Sequence, residues 1–326
     1  MPTFPLATLL AAFSIIISFQ LLRSTSIYYS VKILKFSAGC SRYLSIAVYL
    51  FFRNATGQER RTPLKNKTAP GVTIITSTIR PQFIHQIFQN YVRQKWAPKE
   101  LIIVINKNKI AIAPYLQMAQ QYPGVTVLRQ PQSKKLGACL NYAASRAKYP
   151  YIAKFDDDDY YAPSYIPEAM GLFAKKKADV VGKRTCFFYM PHRSLLLLRQ
   201  MPVRPYSRCR KIAGATIMFH RRVFKKVKFS TVVRQGSDVR FVRASIRRGF
   251  RVFTTSPYNF AALRRANRNS HTWKISDRRL LAAKKSLLLR TRNYKRHVNR
   301  SLDQLKGIQP YPLPMGVQDD LVYSRD

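Results

Sequence analysis

Tyr151-Ile-Ala-Lys-Phe-Asp-Asp-Asp-Asp159 runs a short apolar strand signal straight into four consecutive carboxylates. The whole chain carries 14 Asp and Glu against 58 Lys and Arg, so four acids in a row are no sample of its ordinary surface. An acidic run is usually a solvated loop or a helix cap. This one follows an apolar strand and precedes a Tyr160-Tyr-Ala-Pro163 turn that opens another helix. Carboxylates packed this closely favour a bound cation. A divalent metal meets that need, because carboxylate oxygens bind Mg²⁺ or Mn²⁺ and leave coordination positions for diphosphate oxygens.

Outward from this run the chain alternates. Residues 72–76, 101–105, 125–128 and 151–155 read as strands, and residues 81–94, 115–121 and 136–147 have helical spacing. Strand and helix in alternation imply an α/β fold with a mostly parallel central sheet and flanking helices. In such sheets ligands sit beyond the carboxyl ends of the strands, where helix N-termini offer donors to phosphate. Ser77, Thr78 and Arg80 follow the first strand, Asn106 and Lys107 the second, and Asp156 to Asp159 the fourth. The acidic run therefore falls on the expected ligand edge.

The stretch from residue 72 to residue 273 resembles the family 2 glycosyltransferases, which have the GT-A nucleotide-sugar fold. Val72-Thr-Ile-Ile-Thr-Ser-Thr-Ile-Arg-Pro81, Leu136-Gly-Ala-Cys-Leu-Asn141, the acidic run and Gly236-Ser-Asp238 carry the resemblance in order and spacing. It implies that Asp156 and Asp158 form the Asp-x-Asp motif, Asp156 toward the ribose and Asp158 on a diphosphate-bound Mn²⁺ or Mg²⁺. Asp159 and His271 are further expected metal contacts. Thr76, Thr78, Arg80, Asn106 and Lys135 join Asp156 as the expected donor-binding set. Asn106 stands where the family usually has a base-contacting acid; its amide offers a uracil edge both donor and acceptor, and UDP is the expected nucleotide. Arg80-Pro-Gln-Phe-Ile-His85 and His271-Thr-Trp273 further resemble family members associated with spore-coat maturation.

On the acceptor side, Ile212-Ala-Gly-Ala-Thr-Ile-Met-Phe-His220 is similar to the family's glycine-containing cavity segment, or is a plain buried strand. Asp238 is the only acid between Asp179 and Asp277 and opens the helical run at residues 239–248. It either caps that helix or, as the resemblance implies, is the general base that deprotonates the acceptor hydroxyl. The family's Glu-Asp pair is Ser237-Asp238 here. No Gln-x-x-Arg-Trp element of processive synthases is present. The expectation is a hexosyl transfer of single sugars, with inversion, to a hydroxyl on a glycan, polymer or protein.

The hydrophobic fraction of 46% excludes a disordered polycation, while a formal charge of +44 calls for acidic partners. Nucleic acid is a competing partner, yet four carboxylates at the ligand edge repel a phosphate backbone that no metal bridges. A non-catalytic sugar-nucleotide-binding relic is the other competing reading. Three regions are expected: residues 1–68, an apolar segment and basic linker; residues 69–275, the transferase domain; and residues 276–326, a basic helical extension with a helix from Ser276 or Asp277 through Leu289. Residues 4–22 are long enough to span a bilayer, and Arg23, Lys32, Lys35 and Arg42 follow them. This predicts a cytoplasmic domain, anchored or peripheral at an anionic membrane face, or else a buried helical hairpin before Ala69. Residues 43–52 are too short to span. Cys40, Cys139, Cys186 and Cys209 are scattered, as free thiols in a reducing compartment would be.

Overall fold

The computed structural model describes residues 69–267, 275–282 and 286–306. The chain divides into units Met1–Lys65 and Asn66–Asp326, and every described residue lies in the second. Residues 4–22 and 43–52, Cys40 and His271 lie outside the described residues. Among the described residues no helix is long and apolar enough to cross a membrane, and Cys139, Cys186 and Cys209 are free thiols.

Strands and helices alternate as the periodicity predicts: β1 (Val72–Thr78), α1 (Ile84–Val92), β2 (Lys99–Ile105), α2 (Ala113–Gln120), β3 (Val125–Arg129), α3 (Leu136–Ser145) and β4 (Tyr151–Lys154). There follow β5 (Tyr160–Tyr161), α4 (Tyr165–Lys176), β6 (Val180–Gly182), β7 (Cys186–Met190), β8 (Leu195–Arg199), β9 (Met218–His220), α5 (Arg221–Lys226), α6 (Ser237–Arg247), β10 (Val252–Thr254) and β11 (Phe260–Leu263). The last described elements are α7 (Asp277–Leu281), β12 (Ser286–Arg290), α8 (Tyr294–Val298) and α9 (Leu302–Lys306).

Seven strands form the main sheet in the order β10-β6-β9-β4-β1-β2-β3, parallel except that β9 runs against both β4 and β6. Successive side chains of a strand face opposite sides. Val72 and Ile74 of β1 accordingly pack with Phe88 and Tyr91 of α1, whereas Ile75 packs with Leu140 and Ala143 of α3. Burial on both faces is why these strands read as unbroken apolar runs.

A second sheet, β12-β8-β7-β11-β5, departs from expectation at its edge. Ser276 does cap α7, its hydroxyl accepting from the Arg279 N–H at 3.1 Å, but that helix ends at Leu281. Ser286 to Arg290 instead pairs antiparallel with β8, Leu288 opposite Leu197. Leucine favours helix in isolation. Here the open edge of β8 supplies ladder hydrogen bonds and Leu196 to Leu198 supply an apolar face, and tertiary pairing outweighs the local preference. The C-terminal stretch is thus tied to the second sheet, and its described residues are not helical throughout.

The acidic run links β4 of the first sheet to β5 of the second, and α1 clamps its backbone. The Asn90 amide donates to the Asp159 carbonyl at 2.8 Å and accepts from the Tyr161 N–H at 3.2 Å. Gln94 donates to the Tyr161 and Ala162 carbonyls at 3.3 and 3.1 Å. Both amides are buried, so each hydrogen bond replaces a lost contact with water.

Further from the ligand edge, Glu168 of α4 and Lys183 form an ion pair at 3.2 Å with both side chains 1% exposed. Glu168 also accepts from the Tyr206 hydroxyl at 3.1 Å and the Ser256 N–H at 2.9 Å. Burial pulls the Lys183 pKa down despite this carboxylate. Glu168→Ala leaves that ammonium buried with only the neutral Thr255 hydroxyl and Ser256 carbonyl as acceptors, and is expected to cost ~3–5 kcal/mol, read as a lower denaturant midpoint.

Candidate active site

Phe155 stacks on Tyr161, with ring centroids 3.7 Å apart. The Tyr161 hydroxyl accepts from the Asp156 N–H at 2.8 Å and donates to the Ala215 carbonyl at 2.6 Å. One phenol thus ties the start of the acidic run to the Gly214–Thr216 turn.

The four carboxylates part from one another. Asp156 accepts from Lys154 Nζ at 2.5 Å and keeps 34% of its side chain exposed. Asp157 is buried, accepting from the Thr78 hydroxyl at 2.6 Å and from the Arg80 guanidinium. Burial pushes its pKa up to about 6 against the pull of Arg80. Oδ2 of Asp158 accepts from Arg80 at 2.8 Å and from Arg265 at 2.6 Å. Burial would raise Asp158, but the two guanidinium groups hold it below the ordinary carboxylate range. Asp159 turns into the second sheet, where Oδ1 accepts from the Leu263 N–H at 3.0 Å. Its burial, with Asp158 and Asp156 nearby, drives its pKa well up.

Asp238 arrives from α6. Gly236 is the N-cap and makes no side-chain cap bond, so Asp238, one position inside the helix, is not capping it. Its Oδ2 lies 3.5 Å from Lys154 Nζ, and its Oδ1 is buried without a hydrogen-bond partner. Gly214 makes room for it: a Cβ there would lie 2.4 Å from Asp238 Oδ2. The same turn puts the Gly214 carbonyl 3.2 Å from Lys154 Nζ. Gly214→Ala must displace the carboxylate or the turn, and is expected to lower kcat on the order of 10²-fold with the melting temperature little changed. Steady-state rates beside a thermal melt check this.

Of the residues singled out in the sequence, Thr78, Arg80, Asp156, Asp158 and Asp238 thus belong to one polar cluster, with Asp157 beneath it. Others are engaged elsewhere. Thr76 is buried inside β1. Asn106 donates through Nδ2 to the Pro131 carbonyl at 2.7 Å, and Lys135 donates to the Val232 carbonyl at 2.6 Å. Asp159, expected as a metal contact beside Asp158, has its Oδ1 engaged by the Leu263 N–H of the second sheet. Gly214 lies in the glycine-containing segment that the sequence marked, whereas Lys154 and Arg265 were missed. Lys154 did leave a signal, a lone charge within Ile152-Ala-Lys-Phe155. Arg265 left none among so many basic residues.

The donor set fits a divalent cation. Mg²⁺ typically takes one or two carboxylates and completes its shell with substrate phosphate and water. Asp156 and Asp158 offer hard oxygen ligands, and the cations now on Asp158 come from partly exposed side chains, Arg80 at 20% and Arg265 at 24%. Among the described residues no three His, Cys, Asp or Glu side chains close around one point.

Residues 73–233 match the family model described as Glycosyl transferase family 2. These residues form a family 2 glycosyltransferase domain. The expected α/β architecture, with its mostly parallel sheet and flanking helices, is the architecture of this domain. Among solved structures, the transferase domain is similar to Staphylococcus aureus TarS 1–349 in complex with UDP-GlcNAc, at 13% identity over 66% of this chain and 64% of that one, with a TM-score of 0.49. It is also similar to the mannosyltransferase PcManGT from Pyrobaculum calidifontis in complex with GDP-Man and Mn²⁺, at 16% identity over 69% of this chain and 65% of that one, with a TM-score of 0.44. The chain spans 60% of the length of a further TarS 1–349 structure, at 13% identity and a TM-score of 0.47. No curated protein matches the chain in sequence.

Proposed function

We propose that the glycosyltransferase domain moves one sugar from a nucleotide-sugar to an acceptor hydroxyl, with Asp238 as general base and Asp156 and Asp158 on the donor side. Asp238 carries the reading: a carboxylate at a helix start that caps nothing, holds a buried, unpartnered oxygen, and has its room kept by a glycine. Buried polar atoms are seldom left without a partner. An acceptor hydroxyl is the partner that would satisfy Oδ1, and in that position Asp238 takes its proton as the oxygen attacks the anomeric carbon. The new carbon–oxygen bond forms as the bond to the diphosphate breaks, and the nucleoside diphosphate leaves. A single displacement of this kind inverts the anomeric centre, and NMR of the product tests it; a retained configuration would contradict it.

Asp158, with Asp156 beside it, would hold Mn²⁺ or Mg²⁺. Bound there, the cation would offset charge growing on the leaving diphosphate. Arg80 and Arg265 are placed at the same carboxylate and can turn guanidinium donors to phosphate oxygens, which bidentate groups suit. Asp156 is the ribose contact. Asn106 gives one amide N–H to the Pro131 carbonyl, which orients Oδ1 as an acceptor for the N3–H of uracil, so UDP is the favoured nucleotide. The test is release of nucleoside diphosphate from a donor panel, described at the end of the Discussion.

A further inference from the structure

Lys154 ends β4, and its ammonium is buried where the donor-side and acceptor-side carboxylates converge. Nζ lies 2.5 Å from Asp156 Oδ1, 3.2 Å from the Gly214 carbonyl and 3.5 Å from Asp238 Oδ2, with 1% of the side chain exposed. An ammonium has three N–H donors in fixed tetrahedral directions. Two carboxylates and one carbonyl lie around it, contributed by the β4–β5 link, the start of α6 and the Gly214 turn. A lysine that only balanced buried charge would need one carboxylate. This one spans two, from segments that no strand pairing joins directly.

We propose that Lys154 is a positioning residue that sets the separation of Asp156 and Asp238, and with it the alignment of acceptor hydroxyl and donor sugar. The proposal rests on the reading of Asp238 as the base. Without the ammonium the two carboxylates repel each other, and the Tyr161 tie holds the backbone at Asp156 and Ala215 but neither carboxylate. A displacement near 1 Å at a reacting group is enough to cost on the order of 10²-fold in rate.

Two double-mutant cycles on the full chain test it, one pairing Lys154→Met with Asp238→Asn and one pairing it with Asp156→Asn. Rates, nucleoside diphosphate affinity and a thermal melt are recorded for every variant. Lys154→Met is expected to lower kcat on the order of 10²-fold. In the Asp238→Asn background the same change should cost less than ~3-fold, because a lysine acting through that carboxylate has little left to lose. Lys154→Arg keeps the charge and should recover part of the loss. A lysine that merely supports the fold would lower the melting temperature and multiply its loss unchanged in both backgrounds, and that result overturns the proposal. So does Lys154→Met at wild-type kcat. If Lys154→Met does not fold, Lys154→Arg runs the same cycles against the same criterion. Asp238→Asn at wild-type kcat would overturn the base reading by itself. The Asp156 cycle then decides the lysine, coupled losses keeping it as a positioning residue and additive losses removing it.

Discussion

Asp238→Asn is expected to lower kcat by ~10²–10⁴-fold, the usual contribution of a general base, while nucleoside diphosphate affinity stays near that of the wild type. Asparagine keeps the size of the side chain and cannot take a proton. The helix should not suffer, since Gly236 is its N-cap and the Asp238 side chain makes no cap bond. The carboxylate comes from α6 rather than the acidic run and shares Lys154 with Asp156. A loss confined to kcat therefore marks an interaction made in the transition state. An equal loss of donor affinity would instead move Asp238 to the donor side.

The second large effect is expected from Asp158→Ala. It should abolish stimulation by Mn²⁺ or Mg²⁺ and lower kcat/KM at saturating metal by at least ~10²-fold, since a Lewis acid on the diphosphate supplies several kcal/mol. Arg80 keeps its contacts to Asp157 after this change, whereas Arg265 loses its bond to Asp158. The fold should hold, because both guanidinium groups reach solvent. Mn²⁺ titration of turnover, with electron paramagnetic resonance of bound Mn²⁺ in the presence of UDP, separates lost binding from lost rate. Metal stimulation that survives in Asp158→Ala would take the cation away from this carboxylate.

Much of the fold was legible because its central strands are buried on both faces. Leu101 to Ile105 is an apolar run that parallel pairing and two helical layers require, and Asp238 stood out as the one acid in a long basic stretch. Other features depend on contacts that no local pattern carries. The Leu287-Leu-Leu289 run reads as helix until the β8 edge is beside it. Four identical aspartates give no sign of which faces which partner, so the inward turn of Asp159 to Leu263 was hidden. The meeting of Lys154 with Asp238 needs β4, α6 and the Gly214 turn in place together. Asn106 and Lys135 stood at the right strand and helix ends, yet each has a donor engaged by a backbone carbonyl that the sequence does not reveal.

The most direct measurement of the central claim is nucleoside diphosphate release by the full chain across a panel of UDP- and GDP-sugars, with Mn²⁺ and with chelator. The account predicts release from at least one donor, greatest for a UDP-sugar, that needs the metal and disappears in Asp238→Asn. Equal release from wild type and Asp238→Asn, or no release from any donor beside salt-sensitive binding of a polyanion, would contradict it.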